Sequence, residues 1–475
     1  MARAAQPASM EAIRDAVRRG LDRHVPAGAP VAVGLSGGRD SVVLLDALLD
    51  VAPARDHRVS ALHVHHGLSP FADAWRSFCT DLCAERGVAL SVRAVAVSRA
   101  PQRSLESEAR RLRYAALTEM AISVGAAFVA LAHHRDDQAE TLLLQLMRGA
   151  GLHGLAGMSV ARVDARGVTF VRPLLDIARA TIDDYAVAAH LRWVDDESNG
   201  ETRYLRNAVR HTLMPVLADL FPNPSVTLAR AAAHQGEAAL LADELAALDA
   251  RVAFDGVTLD RAALAALPGH RARNLLRWFL RQQGLRAPSS ARLAAMIEQL
   301  AGARGDANVC LSHAGVELGV HRGRVVVHAK PPSSFDLAWC GEPELVLPHG
   351  RLVVAHANGE GVDARRLTQA PVHVRSRIGG ERLQLAANRP RRALKSILQD
   401  AGMPAWERRA LPLVYCGDAL VAAPGIGIDT DFQAARGADG ITLSWHPDAC
   451  APCPQENRPL AAARGVEAKT RGQSA

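Results

Sequence analysis

The segment from Val31 to Leu45, VAVGLSGGRDSVVLL, constrains this chain more than any other. Its apolar, β-branched opening (Val31, Ala32, Val33) reads as a buried parallel strand. The pattern breaks at Ser36-Gly37-Gly38-Arg39-Asp40-Ser41 and resumes at helical spacing through Val42, Leu45 and Leu49. Two adjacent glycines let the backbone turn sharply and bring its N–H groups close to a ligand. The helix behind them aims unpaired N–H groups and a positive dipole end at the same point. Such an element is built to hold an anion, phosphate first among them. Asp40 is ill placed among those donors for phosphate alone, and well placed to hold Mg²⁺ beside it.

No Lys follows the glycines, so the loop is not a Walker A, and the third Gly of a dinucleotide fingerprint is missing. SGGRDS resembles instead the SGGxDS loop of the ATP pyrophosphatases, enzymes that cleave ATP between the α- and β-phosphates to adenylate a substrate. The resemblance implies ATP and Mg²⁺ as ligands. Ser36, Gly37, Gly38, Arg39, Asp40 and Ser41 then form the binding loop, with Asp40 as the metal ligand. A glycine-rich βα turn without a ligand is the plain alternative. The strand before, the helix after and the serine pair weigh against it.

A chain of 475 residues suggests two or three domains, and 49% hydrophobic residues suffice for their cores although aromatics are only 4%. The formal charge of +7 points towards a polyanionic partner. Its distribution says more than its total. Residues 371–410 hold nine Arg or Lys against three Asp or Glu, so +6 sits within forty positions. Seven cysteines in so long a chain do not make a disulfide framework. Cys79 and Cys83 are spaced for one helix face, and Cys450 and Cys453 form a CxxC far from them, so all read as reduced thiols. No apolar h-region follows the N-terminal arginines and no run reaches membrane-span length, so a cytoplasmic protein without membrane association is expected.

In chain order, an amphipathic helix over residues 1–25 leads into the first strand. A second strand, Val59 to Val64, ends in HVHHGL; with no acidic or thiol partner close by in sequence, these imidazoles read as cleft lining at a strand end rather than a metal site. A helix from Phe71 to Arg86 and a strand from Ala89 to Val97 precede ESEARRLRYAALTEMA, where Glu106, Arg110, Arg113 and Leu117 share one helical side. Strand Phe128 to Ala132 runs straight into HHRDDQAETLLLQLMRGAG. There His133, Asp137 and Glu140 fall at i, i+4 and i+7, one face of the first two turns. Helix capping accounts for Asp136 and Asp137; it does not require Glu140 or the two histidines. Gly149 to Gly157 reads as a loop. TRYLRNAVRHTLMPVL places Arg203, Asn207 and Arg210 on one helical side with Arg206 adjacent, and FPNP closes the first domain.

The domain expectations are therefore a doubly wound parallel α/β domain at 1–220, a mainly helical domain at 221–330, and a basic α+β domain at 335–445. Residues 446–475 lack periodicity and are expected to be disordered. Within the third domain, Arg392 to Ala401 reads as a basic helix.

SGGRDS, HVHHGLS, ESEARRLRY, AHHRDDQAETLLLQLMRGAGLHGLAGM and RYLRNAVRHTLMP together resemble, in order and spacing, the tRNA(Ile)-lysidine synthases. The likeness continues through LPGHRARNLLRWFLRQQGL, VRSRIGGERLQL and ALKSILQDAGMPAWERRALPLVYCGDALVAAPGIGID, roughly residues 25–445. One departure is Asp196-Glu197-Ser198-Asn199, where the family usually has Asp-Pro-Ser-Asn. The resemblance implies ATP-driven ligation of free L-lysine to C2 of cytidine 34 in the CAU anticodon of tRNA(Ile), through an adenylated cytidine. It also implies that Asp137 and Glu140 contact lysine, that Arg113, His133 and Arg206 serve the adenylation and cytidine pocket, and that the basic third domain grips the acceptor stem. The oligomeric state is left open, a homodimer being one option. Two other readings stand beside this one: a tRNA thiolase with the same ATP chemistry, and a non-enzymatic RNA-binding protein. Thiolases use cysteines near the adenylated base, and none lies in the phosphate loop or in HHRDDQAET. Intact Asp40, Asp137 and Glu140 argue against a relict pocket.

Overall fold

The computed structural model describes residues 2–67, 69–96, 105–302 and 309–448. It divides into two compact units, one running to Glu244 and one beginning at Leu245.

The first unit is built on a six-stranded sheet: β1 (Val31–Gly34), β2 (Val59–His65), β3 (Ala89–Ala94), β4 (Phe128–Ala130), β5 (Ala161–Val163) and β6 (Thr169–Val171). Their order is β3-β2-β1-β4-β6-β5, parallel throughout except for β5, which runs antiparallel to β6. The helices are α1 (Ala2–His24), α2 (Arg39–Val51), α3 (Ala72–Glu85), α4 (Leu105–Ser123), α5 (Arg135–Met147), α6 (Leu152–Leu155), α7 (Arg179–Ala188), α8 (Leu205–Ala208), α9 (Met214–Leu220) and α10 (Pro224–Ala253). Alternation along β1 feeds both faces. Val31 and Val33 join Ile13, Val17, Leu44, Leu48, Leu82 and Tyr185 from α1, α2, α3 and α7. Ala32 points the other way, to Leu117, Met120, Val129 and Phe170 beneath α4. Each fully buried leucine contributes about 1.5–3 kcal/mol, so two such layers hold the strand rigid beneath its loop.

The chain winds outward from β1 to β3 and then crosses back to β4 on the other side of β1. At that reversal the loops after β1 and β4 part, opening a crevice at the carboxyl edge of the sheet. The expected loop at Gly149–Gly157 contains the short helix α6, because Leu152 begins a hydrogen-bonded turn capped at Gly151.

The second unit carries helices Arg261–Ala266, Gly269–Gln282 and Ser290–Gly302 against a four-stranded antiparallel sheet. In Gly269–Gln282 the residues Ala272, Leu275, Leu276, Phe279 and Leu280 are buried at helical spacing while the arginines lie between them. Two further sheets, of five and four strands, follow and share a core of Leu352, Val374, Val414 and Val421. The expected basic helix at 392–401 is shorter, Leu394–Asp400, because Arg392 and Ala393 pair as a strand with Arg382 and Leu383. Helix Ala405–Ala410 joins the two parts of this unit. Trp406 stacks on His328 (4.2 Å, 8°) and meets His321 edge-on at 6.1 Å. It lies over Gly319, where a Cβ would come within 2.5 Å of its ring. Cys450, Cys453 and most of the expected disordered segment lie outside the described residues.

Candidate active site

The loop after β1 is braced by its own serines. Ser41 Oγ donates to Gly38 O (2.8 Å), lies 3.1 Å from Ser36 Oγ, and accepts from the Ser36 N–H. The Gly38 N–H donates to Ser36 Oγ, and the Ser41 and Val42 N–H groups return to Gly38 O. Among the described residues this leaves the N–H groups of Gly37, Arg39 and Asp40 for a ligand, half of what the loop sequence offers. Gly37 has φ +87°, and a Cβ there would lie 3.0 Å from Val194 Cγ2 and 3.1 Å from Cys79 Sγ. Only glycine fits. The Arg39 side chain turns away, its Nε 3.0 Å from Asp183 and its guanidinium over Trp193. Its contribution at the loop is its backbone.

Asp40 stands in the first turn of α2, and its Oδ1 is buried with no hydrogen-bond partner among the described residues. Burial raises its carboxyl above the usual range, Asp137 adding to the rise while His134, Arg179 and Arg39 oppose it. An orphaned carboxylate oxygen beside three orphaned N–H groups suits a divalent cation shared with phosphates. No group of three or more His, Cys, Asp or Glu that could hold a metal exists among the described residues, so such an ion would be held chiefly by its substrate.

The β4–α5 junction departs from the sequence reading. The helix begins at Arg135, so His133 precedes it and shares no helical face with Asp137 and Glu140. His134 is the N-cap: its Nδ1 accepts from the Asp137 N–H while Asp137 Oδ2 accepts from the His134 N–H (3.1 Å). That bond leaves Nε2 to face Asp40 Oδ2 at 3.7 Å and Asp137 Oδ2 at 3.5 Å. His134, not His133, therefore links the phosphate loop to the carboxylates. Its signal in the sequence is the N-cap position itself, occupied by a residue rarely found there.

Asp137 and Glu140 meet two arginines. Arg206 Nε donates to Glu140 Oε2 (2.9 Å) and its Nη2 to Asp137 Oδ1 (3.2 Å). Arg210 Nε donates to Glu140 Oε1 (2.6 Å) and its Nη2 to Glu140 Oε2 and Asp137 Oδ1, both 3.0 Å. Arg206 and Arg210 stand at i and i+4, one helical face, whereas Arg203, grouped with Arg210 by the sequence pattern, lies before α8 begins at Leu205. A π-helical segment, Val209–Leu213, follows α8 directly, and Arg206 and Arg210 both reach α5. Burial pushes the Asp137 carboxyl up, but His134, Arg206, His133 and Arg210 together hold it down at about 2. Glu140 is only 2% exposed.

The remaining histidines take separate parts. His63 is hydrogen-bonded through Nδ1 to Leu35 O (2.9 Å), pinning the residue before the loop. His65 does have an acidic neighbour, Asp73 at 3.4 Å, supplied by α3. Burial and Arg113 push His66 down to about 4. His133 is held well below its ordinary value by burial and by Arg172, with Arg110 and Arg113 adding to the effect. The charge of Arg113 thus bears on both His66, after β2, and His133, after β4.

A parallel sheet, a glycine loop leading into a helix at its reversal point, and an aspartate oxygen buried beside free N–H groups define a nucleotide-binding domain of the PP-loop class. Residues 15–217 match the family model described as a PP-loop domain. Residues 259–326 match a TilS substrate binding domain, and 372–445 a TilS substrate C-terminal domain. A tRNA(Ile)-lysidine synthase from Nitrosomonas europaea is 41% identical over 442 residues, covering 92% of this chain and 96% of that one. Another, from Ralstonia nicotianae, is 45% identical over 443 residues, covering 89% and 93%. The chain belongs to the tRNA(Ile)-lysidine synthase family, whose members are ATP-dependent ligases.

Proposed function

We propose that the protein joins free L-lysine to C2 of cytidine 34 in the CAU anticodon of tRNA(Ile), using ATP and forming lysidine. One observation carries the reading: the buried, unpartnered Asp40 Oδ1 lies beside the free N–H groups of Gly37, Arg39 and Asp40, one histidine away from the Asp137–Glu140 pair.

In the first step cytidine O2 attacks the α-phosphate and pyrophosphate leaves. The loop N–H groups meet the charge that grows on the leaving group, already oriented by the serine bracing. Asp40 would hold Mg²⁺ there, which offsets that charge when bound. In the second step the lysine ε-amine attacks C2, the C2–O2 bond breaks, and AMP departs with the oxygen. The free amine has a pKa near 10.4, so the ammonium must shed a proton first. Asp137, held at about 2, is a strong acceptor of hydrogen bonds and a weak base. It and Glu140 orient the amine. Since Arg206 and Arg210 already neutralise this pair, lysine enters by exchanging with an arginine contact.

The described thiols do not favour thiolation. Cys79 is fully buried, and burial pushes it up to about 12 and Cys83 to about 11. Among the described residues no helix is long and apolar enough to cross a membrane.

Incubation with tRNA transcript, ATP and labelled lysine, followed by nucleoside analysis, tests the assignment. Asp40→Asn should lower AMP and pyrophosphate formation by about 10²–10³-fold while tRNA binding and the melting temperature hold. Near-wild-type turnover in that variant would sink it.

A further inference from the structure

Outside the residues assigned above, α4, β5 and the end of β6 bring three guanidinium groups around one phenol. Arg110 lies 5.3 Å from the Tyr114 ring centroid and Arg162 4.9 Å, while Arg172 Nη2 donates to the phenol oxygen at 3.1 Å. Arg172 is only 3% exposed; its Nη1 donates to Ser159 O, and its Nε is buried without a partner. Arg162 also lies over Phe170 (5.8 Å), and its Nε is likewise buried and unbonded. Among the described residues, none of the three forms an ion pair.

Packing a buried guanidinium and two half-buried ones around one ring without a carboxylate is electrostatically costly. Native structures offset such a cost with an anion, and here the anion is not part of the described chain. The effect on neighbours agrees: Tyr114 ionises more readily than usual, burial opposing and Arg172 and Arg110 prevailing. The buried Nδ1 of His133 faces the same charges without a partner.

We propose that Arg110, Arg162 and Arg172, gathered round Tyr114, form a second anion site that takes a phosphodiester of the RNA strand next to the nucleotide being modified. This rests on the RNA reading of the site. Two features favour a backbone phosphate. The three guanidinium groups gather on Tyr114 and Asp40 faces His134, and none of the three is among the charges that weigh most on Asp40, which sets this cluster apart from the anion site at the loop. The Tyr114 ring already carries two guanidinium groups and packs edge-on with Phe170 (5.0 Å, 71°), which leaves it unsuited to stack a base.

The test uses the full-length enzyme, an RNA stem–loop bearing the CAU anticodon, and ATP, with binding followed across a salt series. Arg162→Gln and Arg110→Gln should each lower the log–log salt slope for RNA by about 0.7 and weaken binding about fivefold at 0.1 M salt. ATP affinity and melting temperature should stay at wild-type values. A loss of ATP affinity with an unchanged RNA slope would overturn the proposal by assigning the cluster to the nucleotide. Unchanged RNA and ATP binding would overturn it too, leaving the arginines as packing. Pyrophosphate release by both variants at saturating RNA shows separately whether the ligase reading stands.

Discussion

Arginine is used in opposite ways at the Asp137–Glu140 pair and on the C-terminal module. At the pair, Arg206 and Arg210 are committed to two partly or fully buried carboxylates. In the basic stretch from 371 to 410 the sequence counts nine cations, yet the structure divides them. Arg377 is bound to Glu381, Arg391 to Asp429 and Asp431, and Arg392 to Asp400. Arg375 lies over Tyr415 and donates to Gly417 O. Arg389 and Lys395 are without an ion pair among the described residues. Net charge therefore overstates the surface offered to RNA, because much of it is consumed in holding the fold.

This division can be broken by substitution. Arg210→Ala leaves Glu140 with Arg206 alone and should cost about 3 kcal/mol of stability, read as a fall in the denaturant midpoint. Arg391→Ala strips the guanidinium from Asp429, itself 1% exposed, and should cost about 2 kcal/mol. Unchanged midpoints for both would mean that these pairs are not formed in solution.

Smaller effects should come from the free cations. Arg389→Ala with Lys395→Ala should leave stability within about 0.5 kcal/mol. The salt slope for full-length tRNA should fall by about 0.7–0.9 for each phosphate no longer neutralised. Activity on an anticodon stem–loop should not change. Equal loss on both RNAs would place these residues at the catalytic end and count against a grip by the third domain on the acceptor stem.

A pH-dependent effect concerns a site residue kept neutral by burial and arginine. His66 protonates near pH 4 when folded and near 6.5 when unfolded. Between those values the unfolded chain binds more protons, so stability falls as pH drops from 6.5 to 4. His66→Gln should flatten urea midpoints across that window. A profile identical to wild type would separate His66 from the charge of Arg113.

The sequence disclosed the parts whose chemistry is local. SGGRDS marks loop, helix and Asp40 because a strand, two glycines and a helical period follow one another without tertiary help. Periodicity fails where one residue of register decides. His133 and His134 are equivalent to it, and only the N-cap hydrogen bond separates them. Periodicity does pair Arg206 with Arg210, at i and i+4; it errs in adding Arg203, which precedes α8, and the π segment that follows is not legible in it. The cluster round Tyr114 is invisible for another reason: Arg110, Arg162 and Arg172 come from three elements, and nothing in any one of them signals the others.

The seat of Trp406 against Gly319 and His328 also bears on synthesis. The sheet that supplies Gly319 leaves the ribosome several dozen residues before the indole that covers it. At about 5–20 residues per second that slot stays open to the cytosol for seconds, a bare strip on an otherwise finished sheet. The joint thus makes emergence of helix Ala405–Ala410, rather than completion of the sheet itself, the event that ends its exposure to chaperones and to neighbouring nascent chains.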